Sequence, residues 1–417
     1  MSTAIYTGVT GLQAHQRRLD VVADNIANVN TTGYRGSRVL FRDLFAQTIE
    51  GGVAPSGTFG GTNPLQVGLG AAVGTIDVVH SQGSLVTTGV SSDLAVQGSG
   101  FFVLNDGTTD YFTRDGSFQL NSSGGLVDPA TGLRVQGYIA DADGVVDAAG
   151  EAVDIVIPIG GQAIVRETDA VSLVGNLSAD AVAVPTATTV ERTVRVYDSL
   201  GSPRDIVLTF TKQAAAGEWL WEASSLDADI GTVTGTGTIA FDTNGAMTSV
   251  TSSDVSITFA AGLPAAPVDP FEFTVSFDAL TQLSGESDVT LLSQDGYERG
   301  TLDSFNVGRN GVINGVFTNG RMQVIGQVAV AGFANVGGLA RSGSNLFEET
   351  ASSGTARVGL AATGGRGEVV GGVLEQSNVD LGTEFSNMIV TQRGFQANAR
   401  VITAADTLLQ ETVNLVR

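Results

Sequence analysis

Apolar residues near the amino terminus recur every seven positions: Ile5, Leu12, Leu19 and Ile26. Val9, Val22, Ala23 and Val29 stand three or four places from them, which predicts a helix over roughly the first 30 residues. The stripe is narrow, as in a coiled-coil seam. Ser2 or Thr3 can cap its start, and Asn28, Asn30 and Gly33 can end it. Gly8 and Gly11 weaken its first turns by about 1 kcal/mol each. The carboxyl end carries a partner pattern. Phe385, Met388, Gln392, Phe395, Ala399, Ile402, Asp406, Leu409, Val413 and Val416 alternate spacings of three and four, and only Gln392 and Asp406 are not apolar. Ser377 followed by Asp380 resembles a capping box. A helix over 380–415 is roughly 50 Å long. It cannot hide its stripe in a small domain of its own, so it needs the other terminal helix or neighbouring copies.

Between the ends the period changes to two. Phe101–Leu104 precedes a turn at Asn105-Asp106-Gly107. Val194–Tyr197 runs into Asp198-Ser199-Leu200-Gly201, and Ile206–Phe210 follows. Asn-Gly pairs at 310–311, 314–315 and 319–320 are hairpin signals, because both central residues of a type I′ turn need positive φ. Residues 50–64 read as a Gly-rich connector, and Ala261–Pro270 as a Pro-rich loop. The predicted fold class is α+β, mainly β. The terminal helices form an α-helical coiled-coil domain, and two nested β-domains are inserted between them. The expected segments are 1–30 with 375–417 (helical), 31–70 (linker), 71–144 with 286–374 (inner β-domain) and 145–285 (outer acidic β-domain).

Charge sharpens this division. The 417 residues carry 21 basic and 43 acidic side chains, a net charge of −22. Residues 1–140 hold 7 basic and 10 acidic groups, 141–300 hold 6 and 24, and 301–417 hold 8 and 9. The excess of acid lies in the middle, as in a solvated acidic domain. It also fits a chain whose ends assemble, since surfaces packed against identical copies cannot be strongly like-charged. Clustered basic side chains are missing, which argues against nucleic acid or an anionic membrane as partner. No run approaches the ~18 apolar residues of a membrane span, so no membrane insertion is expected. The first twenty residues lack a basic start followed by an apolar core. No secretory signal is therefore expected, and export would take another route.

Catalytic chemistry finds no foothold. The chain has no cysteine and two histidines, His15 and His80. That removes thiolate zinc sites, disulfides and a cysteine nucleophile. There is no Gly-x-Ser-x-Gly elbow. Lys212 is the one lysine and closes no phosphate loop. Gly68–Gly74 has the wrong glycine spacing for a dinucleotide fingerprint and reads as linker or strand entry. Asp141-Ala142-Asp143-Gly144 resembles the start of a calcium loop but has Ala152 at its twelfth position, so a hairpin turn is expected. His15 sits among polar residues of the first helix and is read as structural. Among so many acids no pair stands out for glycoside hydrolysis. Trp219 and Trp221 could stack on sugar if exposed. As alternate residues of a strand they are expected to pack on a β-core. No cofactor, metal or catalytic residue is assigned.

Both ends resemble the axial proteins of the bacterial flagellum, the rod and hook family. Asn25-Ile26-Ala27-Asn28-Val29-Asn30-Thr31-Thr32-Gly33-Tyr34 is similar to its amino-terminal signature. Ser377-Asn378-Val379-Asp380-Leu381 and Met388–Asn398, with Gln392, Arg393 and Asn398, are similar to its carboxyl-terminal one. Three positions depart from the pattern. Arg35 stands where the family often has Lys, Asp24 where Asn is common, and Gly394 where a better helix former is usual. The β region resembles hook proteins in particular, at Phe112–Phe118, Leu126–Asp128, Asp295–Gly300, Phe317–Gly320 and Phe333–Leu339; the likeness is weakest over 145–285. Rod proteins share the ends but are generally shorter.

The resemblance implies a subunit of a curved, flexible tube, a homopolymer that passes torque from rod to filament as a universal joint. It implies export through the flagellar type III apparatus and assembly outside the cell beneath a hook cap. It implies a distal rod protein below and hook–filament junction proteins above. On this reading the seam residues Ile5, Leu12, Leu19, Val22, Ile26, Phe385, Met388, Phe395, Ala399, Ile402, Leu409, Val413 and Val416 carry assembly. Burial of each large side chain between copies contributes about 1.5–3 kcal/mol, and the ends are expected to order on assembly. Three alternatives remain at this point: a distal rod subunit, a secreted β-rich adhesin or carbohydrate-binding module using Trp219 and Trp221, and a polysaccharide-active β enzyme.

Overall fold

The computed structural model describes residues 2–55, 57, 60–141, 144–147, 150–160, 163–262 and 267–415. Within them the chain is mainly β, with one long helix at each end: α1, Ser2–Ala27, and α2, Leu381–Leu415. It divides into two compact units. The first comprises 1–158, 305–315 and 323–417; the second comprises 159–304 and 316–322.

In the first unit α1 and α2 lie side by side and antiparallel. Arg18 Nη2 donates to Asn387 Oδ1 at 3.2 Å near one end of the contact. Near the other, a Cβ placed on Gly8 would lie 2.9 Å from Ile402 Cγ1. Between them a Cβ on Gly11 would meet Asn398 Oδ1 at 2.6 Å, and one on Gly394 would meet His15 Cε1 at 2.5 Å. The three glycines that intrinsic propensity counts as a cost are therefore the positions where one helix admits a side chain of the other. Ala14 and Val22 of α1 and Thr391 and Ala405 of α2 are buried. Asp380, not Ser377, caps α2. Its Oδ1 accepts the Thr383 amide at 2.6 Å, which is the N3 position of a helix that starts at Leu381. Ser377 lies one turn too early, and its hydroxyl accepts only from Val379 N at 3.3 Å.

The stretch 31–70, expected to be a linker, contains strands. Ser37–Asp43 pairs antiparallel with Ala71–Val78, with a bulge at Leu40/Phe41, and Ala46–Glu50 pairs with Leu65–Gly68. Branched and aromatic residues (Val39, Leu40, Phe41, Ile49, Val67) favour this extended backbone. In the rest of the first unit Phe101–Asn105 and Asp110–Thr113 form a hairpin around Gly107, which takes φ +99°. Phe101, Val103, Phe112, Tyr138, Ala329, Ala331 and Phe347 share a core. Gly311 turns at φ +75°, as its Asn-Gly pair predicts. Asn314-Gly315 does not turn: it lies inside the strand Val312–Phe317.

The second unit holds two five-stranded sheets. One runs Thr189–Tyr197, Pro203–Lys212, Glu218–Ser225, Thr236–Phe241, Met247–Val250 in spatial order. The other runs Ile230–Thr234, Asp254–Phe259, Phe271–Thr281, Ala170–Asn176, Asp288–Gln294. Both contribute to one core. Alternation along Glu218–Ser225 turns Trp219 and Trp221 to the same side. Both are fully buried, and the Trp221 ring lies 5.1 Å from that of Phe277. The third Asn-Gly pair, Asn319-Gly320, forms a hairpin turn in this unit with Gly320 at φ +76°. Ala163–Arg166 pairs with the strand Tyr297–Val307, which keeps 286–304 in this unit, whereas 145–158 belong to the first.

Candidate assembly interface

The two terminal signatures meet in the first unit. Past the end of α1 the chain turns at Gly33, φ +67°, where a Cβ would lie 2.5 Å from the Asp115 amide nitrogen. This turn delivers Tyr34, Arg35 and Gly36 to the root of α2. Asn25, on the last turn of α1, binds both backbone groups of Ser37: its Oδ1 accepts from Ser37 N and its Nδ2 donates to Ser37 O, each at 2.8 Å. Asn378 performs the matching task from the other end of the chain. Its Oδ1 accepts the Gly36 amide at 2.8 Å, and its Nδ2 donates to Val79 O at 2.8 Å and Ser81 O at 3.0 Å. Tyr34 donates its hydroxyl to Asp24 Oδ2 at 2.9 Å, and Arg341 stacks over its ring. Asn28 Nδ2 binds Asp24 O at 3.0 Å and its Oδ1 accepts from Thr31, closing the end of α1.

Beneath these amides sits a buried ionic cluster. Glu375, with no exposed surface, lies 2.8 Å from Arg35 Nη1 and 3.3 Å from Arg114 Nη1. Its Oε1 also accepts the Gly83 amide, and its carbonyl accepts the Gly33 amide, both at 2.8 Å. Arg35 reaches Ser81 O, Arg114 reaches Val96 O and Gly98 O, and Arg341 donates to the carbonyl of Arg35. Burial lowers Arg114 to about 10 against the raising effect of Glu375. The same environment holds His80, packed on Phe101 and Phe347, down at about 4; burial is the largest cause, followed by Arg35, Arg114 and Arg341. One carboxylate thus joins three segments far apart in sequence, each fixed by the others. Arg35 is the signature's departure from Lys, and its Nη1 alone serves both Ser81 O and Glu375. The sequence marked the amides and, within Phe112–Phe118, Arg114, but not Glu375. The signal of Glu375, a single acid at the end of the short strand Val373–Glu375, is weak by itself.

The seam residues divide in this chain. Val22 is buried. Ile5, Leu12, Leu19, Ile26, Met388, Phe395, Ala399, Ile402 and Leu409 are half-buried, and Phe385 and Val413 are exposed. Val416 lies outside the described residues, as do Ala142 and Asp143 of the acidic turn and 263–266 of the Pro-rich loop. Of the signature residues, Asn25, Gly33 and Tyr34 are buried, while Asn30, Gln392 and Arg393 face solvent. Asn398 is half-buried; it donates to Gly394 O at 2.9 Å and flanks Gly11. His15 contacts Phe41 edge-on at 5.5 Å besides seating at Gly394.

Family models match along most of the chain. They are the flagella basal body rod protein at 5–35, the flagellar hook protein FlgE/F/G D1 domain at 95–174, the flagellar basal body protein FlaE D2 domain at 172–297, and the flagellar basal body rod FlgEFG protein C-terminal at 370–415. The flagellar hook protein FlgE of Borreliella burgdorferi is 39% identical and that of Treponema pallidum 36%, each alignment covering both chains completely. The crystal structure of Helicobacter pylori flagellar hook protein FlgE2 shares the fold. It has a TM-score of 0.50 and 15% identity, and covers 68% of this chain and 99% of that one. With full-length relatives at this identity and both terminal signatures folded into one hub, the chain belongs to the flagellar hook protein family.

Proposed function

We propose that this chain is the repeating subunit of a flagellar hook: a tube, built of this chain alone along its length, that bends while passing torque from rod to filament. The observation that carries the reading is the pairing of α1 with α2 through a hub that uses both terminal signatures, together with apolar side chains such as Phe385 and Val413 left bare on α2. On this reading the helices form a coiled-coil layer facing the tube's interior and supply torsional stiffness. The β units are nested within the helical layer and face outward. Division of the chain into two discontinuous units supports that nesting, and the acidic middle keeps the outer face soluble. The remaining proposals are export through the flagellar type III apparatus, assembly under a hook cap, and contacts to a distal rod protein and to hook–filament junction proteins.

A distal rod subunit is the second reading, favoured by the terminal matches to rod proteins. The domain match at 172–297, over the acidic insert, favours the hook. Burial of Trp219 and Trp221 removes the aromatic pair on which sugar stacking rested. The test is electron microscopy of the concentrated protein. Curved tubes are expected from the intact chain and none from chains lacking 1–30 or 380–417. Normal tubes from either shortened chain overturn the reading.

A further inference from the structure

The hub leaves part of a buried arginine unused. The Arg35 side chain is 1% exposed, and one nitrogen, Nη1, reaches both Glu375 at 2.8 Å and Ser81 O at 3.0 Å. Its Nε and Nη2 are buried and have no partner. These two nitrogens form one edge of the guanidinium plane, and the parallel N–H bonds of such an edge match the two oxygens of a carboxylate or phosphate. Arg195 shows the fit in this same chain: its Nε and Nη2 hold the two oxygens of Asp205 at 2.9 and 3.2 Å. Positive charge is left over as well. Arg35 and Arg114 are both buried, and among the described residues Glu375 is the one carboxylate paired with them. Buried polar groups find hydrogen-bond partners and buried charges find counter-charges, so an arginine in this state calls for a ligand.

Arg35 lines a cavity of 330 Å³ between the end of α1 and the hairpin formed by Ala340–Gly343 and Leu346–Glu348. At about 30 Å³ per water, that is room for a phosphate-sized group with several waters. Arg341 stands on the hairpin side, with its Nη2 on the Arg35 carbonyl and its plane over the Tyr34 ring. It has no ion pair among the described residues. Ser344 adds a hydroxyl at the hairpin tip. The tip is held firmly: Asn345 Nδ2 donates to Thr32 O at 2.9 Å, and the Asn345 carbonyl accepts from Thr113 at 3.0 Å. One carboxylate, Asp24, also lines the cavity. It is exposed and engaged by the Tyr34 hydroxyl at 2.9 Å and Asn28 Nδ2 at 3.1 Å, so it opposes an anion without filling the free edge of Arg35. We infer that this cavity is an anion site, in which one oxyanion, a carboxylate or phosphate group, is held side-on by Arg35 Nε and Nη2 and faced by Arg341. Two sources supply that chemistry: a free anion, and an acidic side chain of a second copy. With 43 acidic residues against 21 basic ones, the chain has carboxylates to spare.

The probes are sodium phosphate and sodium acetate, added to the dilute, unassembled full chain against sodium chloride of equal ionic strength. Phosphate should shift the Arg35 Nε–Hε resonance saturably and raise the melting temperature, as a ligand of the native state alone does. Acetate should do the same more weakly. Arg341 is exposed, so Arg341→Gln keeps the buried pairs; it should weaken binding about two- to fivefold, the weight of one charge near a surface. Asp24→Asn should tighten binding by a similar factor. An Arg35 resonance that no concentration of phosphate moves beyond the chloride control overturns the site. Binding unchanged by Arg341→Gln overturns it too. So does binding confined to Asp24→Asn, which means that Asp24 itself closes on Arg35 in the unmodified chain. A second arm rests on the polymer reading and separates the two sources. If phosphate raises the protein concentration needed for tubes in the unmodified chain and not in Arg341→Gln, the occupant is a carboxylate of a second copy. Tubes indifferent to phosphate, with the resonance still shifting in the unassembled chain, assign the site to a free anion. Absence of tubes under every condition removes the polymer reading and leaves the anion site standing on the resonance alone.

Discussion

At the scale of single residues the molecule turns on Glu375. Two guanidinium groups face one carboxylate in a pocket closed to solvent, and removing one partner of a buried pair leaves charge uncompensated. Glu375→Gln should therefore cost about 3–5 kcal/mol, read by urea denaturation with amide exchange at the paired strands Leu85–Thr87 and Val373–Glu375. A loss below 1 kcal/mol, on the order of a surface pair, would contradict the role assigned to it. His80 gives the same hub a pH signature. Its native value of about 4 lies below the ordinary 6.5, so below pH 6.5 the unfolded chain binds a proton that the native hub refuses. Stability should be constant above pH 6.5 and fall as pH drops toward 4, by about 1–2 kcal/mol after discounting for partial exposure. His80→Gln should flatten that window relative to the unmodified chain. Little of this was legible in the sequence. Arg35, Arg114 and Glu375 follow no period, and hundreds of residues separate the last from the others. The neighbouring Asn25, Gly33, Tyr34 and Asn378 were legible only through family signatures.

At the scale of the element, the helices were legible and their contact was not. Heptad spacing located α1 and α2 because a buried stripe must repeat at the helical period. It could not rank the competing stripes on α2, since Phe385 and Thr391 each lie on a different one. Propensity also misjudged the glycines, because it prices only the isolated helix. Gly394→Ala removes that intrinsic cost but drives a methyl to 2.5 Å from the His15 ring. Overpacking of this kind typically costs about 1–3 kcal/mol, so the substitution should loosen the helix pair, measured as faster amide exchange in α1. His15→Ala in the same chain should recover most of the loss. Equal effects of Gly394→Ala with and without His15 would show that the two do not touch. The caps allow a second comparison. Asp380 holds the Thr383 amide, a bond that keeps its carboxyl below the usual range, so Asp380→Ala should fray the start of α2 more than Ser377→Ala. The sequence placed a cap here correctly and chose the wrong residue, since Ser377 and Asp380 both satisfy the pattern and only the first turn's position separates them.

At the scale of the whole molecule, composition marked the acidic middle of the chain. The blocks showed an acidic middle, 24 acids against 6 bases over 141–300, between end blocks of near-zero net charge. The ribbons within 31–70 were not visible, since short strands among glycines carry little period. Strand pairing rather than charge groups 145–158 with the first unit and 286–304 with the second. The division nonetheless makes a strong demand. If the helical layer assembles and the acidic unit only faces solvent, removing the latter should leave assembly intact. The structure offers the place to cut. Gly160 N donates to Leu302 O at 3.2 Å, so the chain enters and leaves the second unit side by side. A chain in which a short glycine turn replaces 161–301 loses 19 acids and 6 bases, which takes the net charge from −22 to −9. It should still form tubes, thinner in outline by electron microscopy. Their assembly should respond less to salt than that of the intact chain, because the like charges that salt screens are gone. Loss of tubes from this shortened chain, with α1 and α2 still helical and paired, would mean that the acidic unit itself binds its neighbours and that its charge is matched rather than idle.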